Sequence, residues 1–217
     1  MLSRSQSIGQ ESPKKSTTDS CAPALLVFAG PNGSGKSTIT AGINVIGEYI
    51  NADLIQRELG CDALEAAQIA TKTREYFLEK EKSFTFETVM STPEKIDFLK
   101  RAHEKQYRII CIYVLTYDPA INIKRVKKRV ANGGHSVPED KIVTRYTRAL
   151  RLLPQLFEVC DELYIFDNSA DCSNAVKSMI FSLTDGIPEV KTTDIWTKER
   201  LKSLLSGTYP DDYIIYK

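Results

Sequence analysis

The sequence has no long apolar run. Its longest are Ala22–Ala29 and Ile109–Leu115, far short of the ~18 residues of a helical membrane span. Histidine is scarce: His103 and His135 stand far apart, which argues against a histidine-rich metal site. The five cysteines, Cys21, Cys61, Cys111, Cys160 and Cys172, form no C-x-x-C pair. An odd, widely spaced set reads as reduced thiols in cytosol rather than a disulfide framework. Net charge is nearly absent as well, with 29 Lys and Arg against 28 Asp and Glu. A charge of +1 gives no global pull toward nucleic acid or anionic membrane. The N-terminus lacks the apolar stretch of a secretory signal, and Glu11 and Asp19 argue against a transit peptide. No internal repeat is visible.

What is present is an ordinary globular composition. The 217 residues are 42% hydrophobic and 26% charged, which suits one domain at roughly 100–200 residues per domain. Such a chain can bury a core without disulfides or metal. Residues Met1–Ser20 hold six Ser and two Thr but only Leu2 and Ile8 as aliphatic residues. They cannot bury enough apolar area to offset ordering, so residues 1–21 are expected to be a disordered tail and 22–217 the domain.

From Ala22 onward, strand-like runs alternate with helical patterns. Strands are predicted at Ala24–Ala29, Glu48–Asn51, Ser83–Thr88, Arg108–Thr116 and Leu163–Asp167. Helices are predicted over Asp62–Lys82, where Leu64, Ala67, Ala70 and Phe77 give loose periodicity, and from Ser91-Thr92-Pro93-Glu94, a capping box, to about Gln106. Another runs from Asp118-Pro119 to about Ala131, broken by Asn132-Gly133-Gly134, and another from about Pro138 to Val159. Beyond Asp167 the pattern gives a weak strand or helix over Ala175–Leu183 and a helix near Ile195–Leu205. The alternation predicts an α/β fold, a mainly parallel sheet with helices on both faces.

Between the first strand and its following helix lies Gly30-Pro31-Asn32-Gly33-Ser34-Gly35-Lys36-Ser37, with Thr38 next. This fits G-x-x-x-x-G-K-[ST], the Walker A phosphate-binding loop. Its backbone N–H groups must approach phosphate oxygens, which glycine permits. The helix start favours an anion, Lys36 can reach the β- and γ-phosphates, and the Ser37 hydroxyl can hold Mg²⁺. A chance match in a chain of this length is roughly one in two hundred, and the strand–loop–helix context lowers it. The loop alone does not separate kinase, GTPase and motor.

A kinase needs a group to accept the acceptor's hydroxyl proton and cations to offset charge on the moving phosphoryl. Asp53 follows the second strand, at the sheet edge that faces the ligand crevice. It reads as a base or as a helix N-cap. Glu87 and Thr88 end a strand at the same edge and read as substrate contacts or a solvated strand end. Lys124, Arg125, Lys127, Lys128 and Arg129 crowd one helix, Gly133-Gly134 follows, then His135 and Pro138, then a helix with Arg145, Arg148 and Arg151. Two basic helices joined by a Gly-Gly connector read as a lid closing over phosphates and excluding water, or as a solvated basic face. No strand ends cleanly in a metal-binding Asp of the Walker B kind, since Asp118 and Asp167 have capping or turn roles. That disfavours a large motor or transport ATPase.

These motifs together resemble the zeta-toxin family in its short bacterial branch. The resemblance rests on Ala29 through Thr38, Asn51-Ala52-Asp53, Phe86-Glu87-Thr88, Arg125 through Val130, Gly133-Gly134-His135-Ser136-Val137-Pro138-Glu139, Arg145-Tyr146 and Asp167-Asn168-Ser169. The lid motif is its most specific part, and Val89-Met90-Ser91 departs from the Thr-Leu-Ser that relatives often carry. The resemblance implies a small-molecule-kinase-like P-loop domain with a helical lid. It implies transfer of the ATP γ-phosphate to the 3′-hydroxyl of UDP-N-acetylglucosamine, with ATP and Mg²⁺ required and an antitoxin protein as a possible partner. It makes Asp53 the base, Lys36 and Ser37 the phosphate and Mg²⁺ ligands, and Arg129 and Arg145 the charge-neutralising arginines. It places Glu87, Thr88 and His135 at the acceptor, and Asp167-Asn168-Ser169 near the adenine. The lid ligands remain to be chosen among Arg125, Arg129, His135, Arg145 and Arg148. Another hydroxylated metabolite or an antibiotic as acceptor, a non-transferring nucleotide switch, and a nucleic-acid-binding ATPase are the rival readings.

Overall fold

A computed structural model describes residues 22–170, 178–205 and 215–216. The expected tail, residues 1–21, lies outside the described residues. The strands are β1 (Ala24–Ala29), β2 (Glu48–Ile50), β3 (Phe84–Thr88), β4 (Arg108–Leu115), β5 (Glu162–Asp167), β6 (Ser178–Thr184), β7 (Ile187–Val190) and β8 (Ile215–Tyr216). They form one sheet in the order β2-β3-β1-β4-β5-β6-β7-β8. The first five in that order pair in parallel, as the alternation of elements predicts. Beyond β5 the sheet turns antiparallel through β6 and β7, so Asp167 does not end the sheet. The turn between them is Asp185-Gly186, both at positive φ, 53° and 75°. Asp-Gly is a two-residue hairpin signal that the sequence reading passed over.

Central strands are buried on both faces, and their side chains alternate between two apolar clusters. Leu25, Val27 and Ala29 of β1 and Ile109, Cys111, Tyr113 and Leu115 of β4 enter the larger one. Leu26, Phe28, Ile112 and Val114 enter the smaller. Helices stand on both faces, unequally. The larger cluster is covered by α3 (Ala63–Glu79), α4 (Pro93–Glu104), the 3₁₀ segment Leu153–Glu158 and α7 (Lys198–Leu204). The smaller takes Ile39 of α1 (Lys36–Thr40) and, behind it, Ile43 and Ile46.

Several predicted elements shift. Residues Ala52–Leu59 form a separate helix, α2, capped by Asn51. Asp62 is not helical but caps α3, accepting from the N–H groups of Leu64 and Glu65 at 2.8 and 2.9 Å. The buried stripe of α3 is Ala66, Ala70, Arg74 and Leu78, whereas Leu64 is 69% exposed. The expected capping box at α4 does not form from Ser91: Thr92 is the N-cap, without a side-chain cap bond. The helix expected over Pro138–Val159 is α6 (Glu139–Leu152) followed by the 3₁₀ turn. Pro154 lies in that turn and has no N–H to continue an α-helix. Helix α5 (Pro119–Ala131) begins as predicted, Asp118 accepting from Ala120 N–H at 2.8 Å.

β1 is the strand at which the order changes direction, with β3 on one side and β4 on the other. Ligand crevices of open α/β sheets lie outside the C-terminal ends of strands at such a point. The phosphate loop leaves β1 there.

Candidate active site

The loop is built on close backbone approach. Gly30 has φ +136°, and a Cβ there would lie 2.0 Å from the Val114 carbonyl oxygen. Gly33 has φ +75°, and its Cβ would lie 2.5 Å from the Asn122 carbonyl oxygen. Neither position accepts a side chain. Three side chains then hold the loop from outside. Asn122 Nδ2 donates to Asn32 O at 2.6 Å, Asn168 Nδ2 to Ser34 O at 2.7 Å, and Arg145 Nη1 to Asn32 Oδ1 at 3.3 Å. Asn122 is fully buried on α5 and its Oδ1 accepts from the Thr116 hydroxyl. Ser34 Oγ is buried without a hydrogen-bond partner among the described residues. Helix α1 has only five residues, and its N-cap Gly35 gives no side-chain bond. Local N–H groups, not a long helix dipole, therefore supply the anion preference. Ser37 and Thr38 are exposed on its first turn.

Lys36 is 8% exposed. Its Nζ donates to Gly30 O at 2.8 Å and Pro31 O at 3.1 Å and lies 3.9 Å from Glu87 Oε1. Burial pulls the ammonium pKa down; Glu87 and then Asp53 oppose that, and Arg129 adds to it. Four predicted site residues, Lys36, Asp53, Glu87 and Arg129, thus share one electrostatic field, although they come from four separate stretches of chain.

The acidic side of the site is organised by Asn51. Its Oδ1 accepts from Asp53 N–H at 2.8 Å and Leu54 N–H at 3.4 Å. Its Nδ2 donates to Glu87 Oε2 at 3.1 Å. The N-cap role that Asp53 could have had therefore belongs to Asn51, and Asp53 stands exposed in the first turn of α2. Tyr49 donates its hydroxyl to the same Glu87 oxygen at 2.9 Å, and burial above all pushes the phenol up to about 12. Glu87 is a held carboxylate, not a solvated strand end. Thr88 is buried, and its Oγ1 accepts from Met90 N–H at 3.2 Å, which leaves the hydroxyl proton to donate.

The lid is α5, the connector 132–138 and α6. Its root is fixed. Arg125 donates to Asn168 O at 2.7 Å and Ala170 O at 3.0 Å, and buried Tyr146 donates to Thr116 O at 2.6 Å. Its tip is exposed. Arg129 Nη2 donates to His135 O at 2.8 Å, so the two lid residues meet through the His135 carbonyl while His135 itself is exposed. Arg148 is also exposed. A cavity of about 390 Å³ opens inside the lid between α5 and α6, lined by Val126, Val130, Pro138 and Ile142 among others. No phosphate-loop residue lines it, so it is not the nucleotide site.

The sequence of a family described as Zeta toxin matches residues 62–173, just over half of the 217 residues. The chain belongs to the zeta-toxin family. The matched range holds Glu87, Thr88 and the whole lid but begins after the phosphate loop, so loop and family are independent observations. An uncharacterized Haemophilus influenzae protein is 27% identical over 127 residues, covering 56% of this chain and 91% of its own. Among solved structures, a chain of the AvrRxo1-ORF1:-ORF2 complex with ATP superposes with a TM-score of 0.63 at 15% identity. That match covers 89% of this chain and 66% of the other, slightly less than two thirds of it. A chain from the PezAT toxin–antitoxin system of Streptococcus pneumoniae gives a TM-score of 0.48 at 18% identity, covering 92% and 85%. The structural likeness is one of fold.

Sequence reasoning assigned no role to Asn122, Tyr49 or Asn51 in shaping this zeta-toxin site. Asn51 stood before a helix start, a capping signal. Asn122 carried a weaker one, a short amide among the basic residues of α5. Asn122→Ala removes the donor to the Asn32 carbonyl and leaves the Thr116 hydroxyl only its longer bond to Asp118 O, at 3.3 Å, so it is expected to cost about 1–3 kcal/mol. Urea unfolding measures this, and a loss below half a kcal/mol would remove the bridge from the account.

Proposed function

We propose that this zeta-toxin-family chain is an ATP-dependent kinase acting on a hydroxyl, most specifically the 3′-hydroxyl of UDP-N-acetylglucosamine. The observation that carries the reading is the shared field of Lys36, Glu87, Asp53 and Arg129 at the mouth of the phosphate loop. The fold likeness to a complex solved with ATP supports ATP as the donor.

In this reading the loop N–H groups and Lys36 bind the β- and γ-phosphates. Lys36 gives up its bonds to Gly30 and Pro31 carbonyls to do so. The acceptor oxygen attacks the γ-phosphorus, the β–γ bridging P–O bond breaks, and the hydroxyl proton passes to the Asp53 carboxylate. Arg145, already on Asn32 of the loop, and Arg129 offset the charge on the transferring group. Glu87 and Thr88 contact the acceptor, and Asn51 fixes Glu87 relative to the Asp53 turn. His135 joins the acceptor side when the lid closes, and closure excludes water.

Ser37 fits Mg²⁺. It presents a hard oxygen beside the loop, and Mg²⁺ keeps waters and completes its shell with phosphates, so no carboxylate cage is needed. Among the described residues no group of three or more His, Cys, Asp and Glu could hold a metal. When bound, the ion would draw charge from the phosphate oxygens. No helix among the described residues is long and apolar enough to cross a membrane, and Cys61, Cys111 and Cys160 are free thiols. The proposed setting is the cytoplasm, with an antitoxin as protein partner.

The test is mass spectrometry of UDP-N-acetylglucosamine after incubation with the chain and Mg-ATP. A gain of one phosphate on the sugar is expected. An unmodified acceptor with ATP bound would reject this substrate and direct the search to other hydroxyl compounds.

A further inference from the structure

Arg74 occupies a core position. It sits in the buried stripe of α3 and is 6% exposed. A guanidinium buried that deeply ordinarily meets a carboxylate. Here the hydrogen bond its side chain makes among the described residues is Nη2 to Thr71 Oγ1, at 2.8 Å. The group lies over two rings instead, 5.2 Å from the Phe86 centroid and 6.0 Å from that of Phe98. Those contacts use the face of the guanidinium and leave its in-plane N–H groups available.

The nearest carboxylate on its own helix is taken. Glu75 receives both Arg101 Nη1 and Nη2, at 2.8 and 2.6 Å. Lys95, half-buried in the first turn of α4, lies within the field of Arg74, and burial lowers the proton affinity of both groups. Glu94 is exposed and accepts from the Thr92 hydroxyl and its own backbone N–H. Arg74, Lys95 and Arg101 therefore share the junction of α3 and α4 with Glu75 and Glu94, and Asp97 and Glu104 of α4 act on Arg101. The N-cap of α4 adds no side-chain bond to its first N–H groups. Phe86, beneath Arg74, shares its face of β3 with Thr88 of the proposed acceptor site, while Glu87 lies on the opposite face.

We propose that Arg74 and Lys95 form a binding site for a phosphate-type oxyanion at the junction of α3 and α4. A planar guanidinium with open N–H groups, stacked and held out of water, matches the paired oxygens of such a group. The oxyanion is either a phosphate carried by the acceptor, which rests on the kinase reading above, or free phosphate.

Calorimetric titration of inorganic phosphate into the full chain tests this in a Lys36→Ala background, which removes the cation of the phosphate loop. Phosphate is expected to bind that variant. Adding Arg74→Met, which keeps an unbranched apolar stem over the two rings, is expected to weaken binding about tenfold or more. Arg74→Lys is expected to fall between the two. No phosphate binding in Lys36→Ala, or unchanged binding after Arg74→Met in a protein with native circular dichroism, overturns the site. Should Arg74→Met not fold, Lys95→Gln replaces it with an expected loss of about threefold, and unchanged affinity in both Lys95→Gln and Arg74→Lys overturns the site equally. Competition with UDP separates the sources. Displacement of phosphate by UDP assigns the site to the acceptor's phosphate, and independent binding assigns it to free phosphate. None of these readouts needs transfer, so failure of the kinase reading and failure of this site are distinguishable.

Discussion

Asp53→Asn is expected to keep Mg-ATP binding and to lose phosphoryl transfer by about 10²–10⁴-fold, the contribution of a placed general base. The substitution is nearly isosteric, and its local structure is held by groups other than the carboxylate. Asp53 N–H bonds Asn51, Asn51 caps α2, and the Asp53 side chain has no part in the cap. Asn cannot accept the hydroxyl proton. The contacts expected to hold ATP come from the loop, and Asp53 acts on it through its charge beside Lys36. Single-turnover transfer to UDP-N-acetylglucosamine and equilibrium binding of ATP separate the two quantities. Wild-type transfer in the variant would remove Asp53 as the base, and lost ATP binding would recast it as a nucleotide-site residue.

Lys36→Ala is expected to lose useful ATP binding and to slow transfer by about 10³-fold, the scale of one cation or donor aimed at developing charge. Stability should move the other way or stay level. The ammonium is buried, and burial is the largest influence on its pKa, which lies below the ordinary 10.5. The unfolded chain therefore binds the proton more tightly than the folded one. Wild-type stability accordingly rises with pH as the solution approaches 10.5 from below, and the variant lacks that contribution to the slope. Urea midpoints across alkaline pH measure it. A marked fall in the variant's midpoint at neutral pH would make Lys36 a structural residue, and an unchanged transfer rate would remove the phosphate-loop assignment.

The sequence by itself determined the phosphate loop, the parallel half of the sheet and the basic lid. Each is local. Gly30 to Ser37 is contiguous, β1 and β4 are continuous apolar runs, and Asp118-Pro119 opens α5 with its own capping chemistry. The family resemblance drew on the same contiguous motifs, and the match over residues 62–173 agrees with it.

Tertiary structure decided what depends on partners distant in sequence. Asp53 could be a base or a cap until Asn51 was seen holding both the α2 terminus and Glu87, 36 residues away. Glu87 could be solvated until Tyr49, Asn51 and Lys36 converged on it. Asn122 shows its role only across 90 residues, at Asn32. Arg74 falls at a helix position whose burial is set by which face of α3 meets the sheet, and loose periodicity pointed to the neighbouring face. A residue's propensity and its near neighbours are written in the chain. Which desolvated charge ends beside which donor depends on the packing of whole elements, and at this site that packing brings Lys36, Glu87, Tyr49 and Asn51 together.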